Sequence, residues 1–165
     1  MSSDFYTSSI LPYSGIIIKI CRAYTDSQED FEDYYQEVCL QIWRSKDKFR
    51  GDSKWSTWIY RISLNVCLSL LRKQKKQDVT TRFETSNNEI LIQSDVTEES
   101  KKNDTDLIKL YDAIKELKEI DRGIILLYLE KKTYKEIAEI MGTNSNSIGV
   151  KITRIKKRLK KQLNE

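Results

Sequence analysis

Apolar residues recur at three- and four-residue steps through most of this chain, which predicts amphipathic helices rather than strands. In the first half the pattern predicts helices over residues 14–24, 28–45 and 55–76. Residues 1–12 carry no sustained pattern, and we expect a frayed lead-in that ends at Pro12. The first half is therefore predicted to be a small bundle of three helices.

The second half of the chain has the same helical pattern after a polar interruption. Periodic segments predict helices over residues 107–118 and 121–130. Residues 77–106 are rich in Ser, Thr, Asn, Asp and Glu and show no sustained period, which is typical of a flexible linker. The predicted fold is all-α, with two small helical domains joined by a flexible acidic linker, over residues 1–76, 77–106 and 107–165.

Residues 133–163 have the pattern of a helix-turn-helix motif. Thr133 and Glu136 form a capping box, Gly142 ends the first helix, and the turn that follows caps the second helix. The second helix of such a motif enters the DNA major groove, where amides and hydroxyls suit base edges and cations suit phosphates. The candidate DNA-binding residues of this helix are Ser145, Asn146, Ser147, Gly149, Lys151, Thr153, Arg154 and Lys157.

A polar loop around Gly51 is followed at once by a helix rich in aromatic residues. Ser53 is predicted to be the N-cap of this helix. Its predicted buried face comprises Trp55, Trp58, Ile59, Ile62 and Val66. Cations, amides and an aromatic ring are groups that bind phosphates and unpaired bases. The candidate single-strand DNA-binding residues are Phe49, Arg50, Gly51, Asp52, Ser53, Lys54, Arg61, Asn65 and Arg72.

The composition of the chain limits the functions that it can have. It has 165 residues and no histidine, so the commonest general base and metal ligand is missing, and we expect no catalytic residue, metal or cofactor. Cys21, Cys39 and Cys67 have no paired spacing and are expected to be reduced core thiols. No apolar run reaches the length of a membrane span and no secretory signal is apparent, so the sequence predicts a cytoplasmic protein. Basic blocks flank the acidic linker and are candidate polyanion-binding surfaces.

Three segments together resemble the extracytoplasmic-function (ECF) sigma factors, which are small bacterial transcription initiation factors of the sigma-70 family. The segment FRGDSKWSTWIYRISLN resembles the family's promoter-melting segment. The helix-turn-helix resembles region 4, although Gly149 departs from the lysine that is usual there. The segment FEDYYQEVCLQIW resembles the part of region 2 that docks on RNA polymerase, with Asp33, Gln36, Glu37 and Trp43 on its characteristic positions.

The resemblance implies a function for each part of the chain. Residues 1–76 correspond to region 2, which would dock on the clamp helices of the polymerase's largest subunit and melt the −10 element. Residues 107–165 correspond to region 4, which would read the −35 element and bind the flap tip of the second-largest subunit. The implied partners are core RNA polymerase, promoter DNA and an anti-sigma factor, and no enzymatic activity is implied.

Two other classes of protein are weighed against this interpretation. A free-standing regulator that binds duplex DNA would explain the helix-turn-helix but would leave the loop and the acidic helix face without a role. A nucleic-acid enzyme would need metal ligands, and the acids Asp26, Asp30, Asp33 and Glu37 are candidates for that role. These acids converge on no loop and no catalytic base accompanies them, so we disfavour the enzyme.

Overall fold

The computed structural model describes residues 3–78 and 98–164, and every regular element in these ranges is helical. The longer connections between helices contain single turns of other types, at Tyr6–Ile10 (π), Leu11–Tyr13 (3₁₀) and Lys46–Lys48 (3₁₀). The helices are α1 (Ser3–Phe5), α2 (Ser14–Ala23), α3 (Gln28–Ser45), α4 (Trp55–Asp78), α5 (Glu98–Lys115), α6 (Glu119–Leu129), α7 (Tyr134–Met141) and α8 (Ser145–Leu163). The predicted all-α class is confirmed.

The first half of the protein, residues 3–78, is built on α2, α3 and α4, which contact one another pairwise. The three predicted helices are present, with ends that differ from prediction by two residues at most. Helix α3 begins where Ser27 accepts a hydrogen bond from the Asp30 amide at 3.1 Å. Ile17, Ile42 and Ile59 are fully buried where the helices meet.

The buried side of α4 differs from the predicted one. Trp55, Trp58, Ile62 and Val66 are only partly buried, whereas Ile59, Tyr60, Leu64 and Cys67 are buried together with the polar Thr57 and Ser63. The reason is that α4 packs against α2 and α3 on one side and also contacts α6 and α7. Ile59 is fully buried as predicted, and the other four predicted residues still pack against the core. A helix buried on two sides has no single apolar stripe, so periodicity identified only part of its buried surface.

Two local predictions in the first half are wrong. From residue 3 onward the N-terminal lead-in is ordered rather than frayed: Ile10 is fully buried, and the Tyr6 and Tyr35 hydroxyls lie 2.9 Å apart. Ser53 is not the N-cap of α4, because the helix begins one residue too late for it and its hydroxyl donates to the Lys54 carbonyl at 3.5 Å.

The second half, residues 98–164, contains α5 to α8, and its helix-turn-helix has the predicted caps. The Thr133 hydroxyl accepts from the Glu136 amide at 3.1 Å, and Gly142 ends α7 with a φ of 74°. Asn144 caps α8 by accepting from the Ser147 amide at 2.9 Å. The predicted start of α5 at Leu107 is wrong, because the helix begins within the predicted linker.

The early start of α5 has a simple cause. Glu and Lys have high intrinsic helix propensity and need no buried face for it, so polar residues can extend a helix that apolar periodicity does not reveal. The rest of the linker prediction, over residues 79–97, lies outside the described residues.

The two halves share one continuous set of buried apolar side chains. Helix α6 contacts α2 and α4 of the first half as well as α5, α7 and α8 of its own half. Its buried residues Ile124, Ile125, Leu126 and Leu127 follow one another in the sequence and so cover more than one side of the helix. The cysteines are all buried and free, as predicted, with the sulfurs of Cys21 and Cys67 at 3.9 Å.

Candidate nucleic-acid and partner-docking surfaces

The loop between α3 and α4 is supported by a cluster of aromatic rings. Phe49 is half-buried, with its ring centroid 5.1 Å from that of Trp55 and 5.5 Å from that of Trp58. Gly51 has a φ of 79°, a left-handed conformation that strains residues with a side chain. Because Phe49 holds one end, the polar tip of the loop is held in place and faces solvent. Its exposed residues are Arg50, Gly51, Asp52 and Lys54, with Ser53 half-buried beside them.

The N-terminal segment packs behind this loop, which sequence reasoning missed. The Phe5 ring lies 5.2 Å from Trp43 and 6.3 Å from Trp55, and the Trp55 indole donates to the Ser9 carbonyl at 2.8 Å. The Lys46 ammonium lies 3.0 Å from the centre of the Trp43 ring. Trp43, predicted to contact polymerase, therefore belongs to the support of the loop. Phe5 was the feature of the sequence that could have indicated this packing.

The polar residues of α4 that were predicted to bind DNA fall into two groups. Asn65 is exposed to solvent. Arg61 instead reaches the end of α7, where it donates to the carbonyls of Glu139 at 2.6 Å and Ile140 at 3.4 Å. These carbonyls belong to the last turn of a helix, where partners within the helix are lacking and the dipole is negative.

Arg72, the third of these residues, forms an ion pair with Glu119 at the start of α6, at 3.5 Å. Lys75 contacts the same carboxylate at 2.6 Å. The hydrogen bond from Lys75 is the largest of the effects that lower the pKa of Glu119, and Arg72 adds to it. Arg61 and Arg72, which were both predicted to bind DNA, therefore already have partners in the second half.

The acidic residues of α3 lie on one side of the helix. Asp33 and Gln36 are exposed, and Glu37 is half-buried and lies 4.0 Å from Arg44. The opposite side of α3 is buried through Tyr34, Val38, Cys39 and Ile42. The surface formed by Asp33, Gln36 and Glu37, here called the acidic face, is therefore free of any core-packing role.

Helix α8 presents most of the residues that were predicted to bind duplex DNA. Ile148, Ile152, Ile155 and Leu159 form its buried stripe, as predicted. Exposed on its other sides are Ser145, Asn146, Thr153, Arg154 and Lys157, while Ser147, Gly149 and Lys151 are half-buried.

Thr153 and Gly149, two of the candidate DNA-binding residues of α8, already have contacts within the protein. The Thr153 hydroxyl donates to the Gly149 carbonyl at 2.9 Å, one turn earlier. A Cβ at Gly149 would lie 3.4 Å from the Tyr134 ring, which is ordinary contact, so Gly149 faces α7 rather than open solvent.

A cleft of about 500 Å³ separates the end of α4 from α8. Arg72 and Lys75 line one wall, Lys151 and Arg154 line another, and Glu119 lies between them. Cations predicted to bind two different parts of a promoter thus lie along one cleft in this arrangement.

Within residues 3–78 and 98–164 no group of three or more acids or cysteines is placed to hold a metal ion. In the same ranges, every helix is too short or too polar to cross a bilayer.

Two solved structures share this fold over nearly the whole chain. The sigma factor RpoE of Bartonella quintana, in complex with the anti-sigma factor NepR, aligns with a TM-score of 0.78 at 20% identity, covering 99% of this chain and 98% of RpoE. CnrH, in complex with the cytosolic domain of CnrY, aligns with a TM-score of 0.70 at 16% identity, covering 99% of this chain and 90% of CnrH. At these identities the likeness concerns the all-helical fold alone.

Curated relatives match over shorter stretches. The ECF sigma factor SigG of Mycobacterium tuberculosis is 34% identical over 70 residues, which are 42% of this chain and 19% of SigG. The ECF sigma-E factor of Escherichia coli K12 is 32% identical over 68 residues, which are 41% of this chain and 35% of that protein. The matches therefore span about a fifth to a third of these two relatives.

Two family models together match more of the chain than either relative does. Residues 10–77 match the family described as Sigma-70 region 2, and residues 107–159 match the family described as Sigma-70, region 4. Together these ranges make up well over half of the chain, and the named relatives are ECF sigma factors. The chain therefore belongs to the sigma-70 family, in its ECF group, which confirms the resemblance found in the sequence.

Proposed function

We propose that this protein is a bacterial transcription initiation factor that binds core RNA polymerase and directs it to promoters with a −35 and a −10 element. The observation that carries the proposal is the presence, in one chain, of matches to both Sigma-70 region 2 and region 4. Such a factor selects DNA and catalyses no reaction of its own. Because polymerase works in the cytoplasm, the protein would act there.

The acidic face of α3 is the proposed docking surface for polymerase. Asp33, Gln36 and Glu37 offer carboxylate and amide oxygens that suit a helix rich in Arg and Lys. The partner would be the clamp helices of the largest polymerase subunit. Trp43 would contribute indirectly, since its ring contacts Phe5 and Lys46 within the protein.

The loop from Phe49 to Lys54 is the proposed site for the melted −10 element. Arg50 and Lys54 offer charges for phosphates, while Asp52, Ser53 and Asn65 offer hydrogen-bonding groups for unpaired bases. Phe49 anchors the loop through its contacts with Trp55 and Trp58. Arg61 and Arg72 would join the site once released from their present partners.

Helix α8 is the proposed reader of the −35 element. Ser145, Asn146 and Ser147 open the helix, where a recognition helix meets base edges. Lys151, Arg154 and Lys157 follow with charges for guanine or phosphate. The second half would also bind the flap tip of the second-largest polymerase subunit.

An anti-sigma factor is a further proposed partner. The two solved structures named above are both complexes: the sigma factor RpoE with the anti-sigma factor NepR, and CnrH with the cytosolic domain of CnrY. Control of the present chain by such a protein is consistent with its family.

Charge reversal on the acidic face tests the polymerase proposal. Asp33→Arg places a cation where a basic partner helix should bind, so we expect affinity for core polymerase to fall at least about tenfold, or ~1.4 kcal/mol. The matched control is Asp112→Arg, which reverses an exposed carboxylate on α5. Both changes are on the surface, so the free energy of unfolding should change by less than about 0.5 kcal/mol.

The affinities of the wild-type chain, Asp33→Arg and Asp112→Arg for core polymerase are measured by fluorescence titration. A wild-type affinity for Asp33→Arg would reject the acidic face as the docking surface. Failure of the wild-type chain to bind polymerase, combined with tight binding to duplex DNA, would favour a free-standing regulator.

A further inference from the structure

Val150 is an apolar residue that the fold leaves on the surface of α8. It is 69% exposed, more than any other large apolar residue in the part of the chain that the structure describes. The buried stripe of α8 runs through Ile148, Ile152 and Ile155 and does not include it. Packing of α8 on the rest of the protein therefore does not account for a valine at this position.

Helix stability does not account for this valine either. Valine has a lower helix propensity than alanine, because its branched side chain loses rotamer freedom in a helix. Lysine and glutamate form helices better and would also keep the surface polar. Single exposed apolar residues are nevertheless common on protein surfaces, so what distinguishes Val150 is its place on the helix.

Val150 lies at the centre of the side of α8 that faces away from the core. A helix turns by about 100° per residue, which places Val150 about 160° around the helix from both Ile148 and Ile152. Asn146 lies one turn before it and Arg154 one turn after it, and both are exposed. The valine thus interrupts, in its middle, the polar surface that we propose for reading base edges.

Thr153 places a second apolar group beside Val150. Its hydroxyl donates to the Gly149 carbonyl at 2.9 Å, so the hydroxyl proton is already used within the helix. What remains for a partner of Thr153 is its acceptor oxygen and its methyl group. Because residues three apart are neighbours on a helix surface, the methyl groups of Thr153 and Val150 are adjacent.

One base edge in the major groove of DNA matches an apolar group at this place. Thymine presents a 5-methyl group there, whereas the edges of the other three bases carry only hydrogen-bonding groups for a side chain to read. We infer that Val150, with the methyl group of Thr153 beside it, contacts the 5-methyl group of a thymine in the −35 element. The inference rests on the proposed function for the identity of the DNA.

The contact is tested first by removing the methyl group from the DNA. In a promoter that the chain directs polymerase to, each thymine of the −35 element is replaced in turn by deoxyuridine, which lacks only the 5-methyl group. Affinity is measured by filter binding for the complex of core polymerase with the full chain. At one thymine we expect the wild-type affinity to fall about fourfold, the effect of losing one buried methyl group.

The contact is tested next by shortening the side chain in the protein. Val150→Ala should bind the thymine duplex about fourfold more weakly than the wild type and should no longer distinguish thymine from deoxyuridine. Alanine favours the helix, so urea unfolding should show no loss of stability. The control is Leu163→Ala, which shortens another exposed apolar residue of α8 about 20 Å along the helix and should match the wild type on both duplexes.

Equal wild-type affinities for thymine and deoxyuridine at every position would overturn the inference and would favour a protein partner for Val150. A Val150→Ala variant that still distinguishes the two bases, or a −35 element without any A·T pair, would also overturn it. A chain that never binds polymerase would reject the proposed function. The same scan is then made with the free chain on a duplex selected from a random library, where a methyl effect that Val150→Ala abolishes would still uphold the thymine contact. A chain that selects no duplex would overturn both.

Discussion

Asn144 and Asn146 lie two residues apart at the start of α8 and have different roles. The Asn144 side chain accepts a hydrogen bond from the Ser147 amide at 2.9 Å, so it stabilises the helix. Asn146 is exposed, at a position where a recognition helix contacts bases. The same side chain thus serves folding at one position and, in our proposal, DNA recognition at the other.

We predict that Asn144→Ala lowers the free energy of unfolding by about 1 kcal/mol, because the helix loses its N-cap. Asn146→Ala should change it by less than about 0.5 kcal/mol and should instead weaken binding to promoter DNA. Urea unfolding followed by circular dichroism gives the first quantity. A loss of stability in Asn146→Ala equal to that in Asn144→Ala would contradict this division of roles.

Single residues also mark the limit of what the sequence could predict. The caps at Thr133, Gly142 and Asn144 were predictable because a cap depends on neighbours within four residues. The partners of Arg61 and the close approach of Leu64 to Gly123 were not, because both depend on a helix that lies about 60 or more positions away along the chain.

The buried thiols illustrate how burial controls reactivity. Burial raises the pKa of Cys39 to about 11, and the hydrogen bond with Cys21 together with burial raises the pKa of Cys67 well above the ordinary value. A thiol with a raised pKa holds little thiolate at neutral pH, and the thiolate is the reactive form. The cysteines therefore behave as core residues, as their apolar neighbours in the sequence predicted.

Helix α8 is the element whose role the sequence predicts most fully. Its apolar stripe and its cations fall on different sides because the stripe repeats every three or four residues while the charges fill the positions between. From Lys151 to Lys161 it carries seven basic residues and no acid. Such a helix should bind DNA with a strong dependence on salt.

We predict that Lys151→Ala or Arg154→Ala weakens binding to promoter DNA by roughly 1–3 kcal/mol if the residue contacts a base. For a residue that contacts phosphate alone, the slope of log K against log salt should instead fall by about one. The control is Lys109→Ala, which removes an exposed cation from α5. Filter binding at several salt concentrations separates these cases, and a result equal to the control for both variants would exclude α8 as the DNA reader.

Helix α4 and the N-terminal segment were less predictable than α8. Only part of the buried surface of α4 was predicted, because the helix packs against several partner helices. The lead-in has too few apolar residues to show a period, yet Phe5 and Ile10 pack onto the aromatic cluster and the core. In both cases the deciding contacts come from outside the segment.

The two halves, each proposed to read one promoter element, share one set of buried apolar side chains. In our proposal, the first half offers a basic surface to the −10 element and the second half offers one to the −35 element. Packed together, they place Arg72, Lys75, Lys151 and Arg154 along one cleft and use Glu119 to balance part of that charge.

Transcription in a purified system is the most direct test of the central claim. Core RNA polymerase, the wild-type chain and a library of genomic DNA fragments are incubated with nucleotides, and the 5′ ends of the transcripts are mapped. We expect transcripts that depend on the added chain and start downstream of one shared pair of −35 and −10 sequences. At a limiting concentration of the chain, Asp33→Arg should strongly reduce these transcripts and Asp112→Arg should retain them. The absence of any chain-dependent transcript, from a chain that binds duplex DNA, would contradict its assignment as an initiation factor.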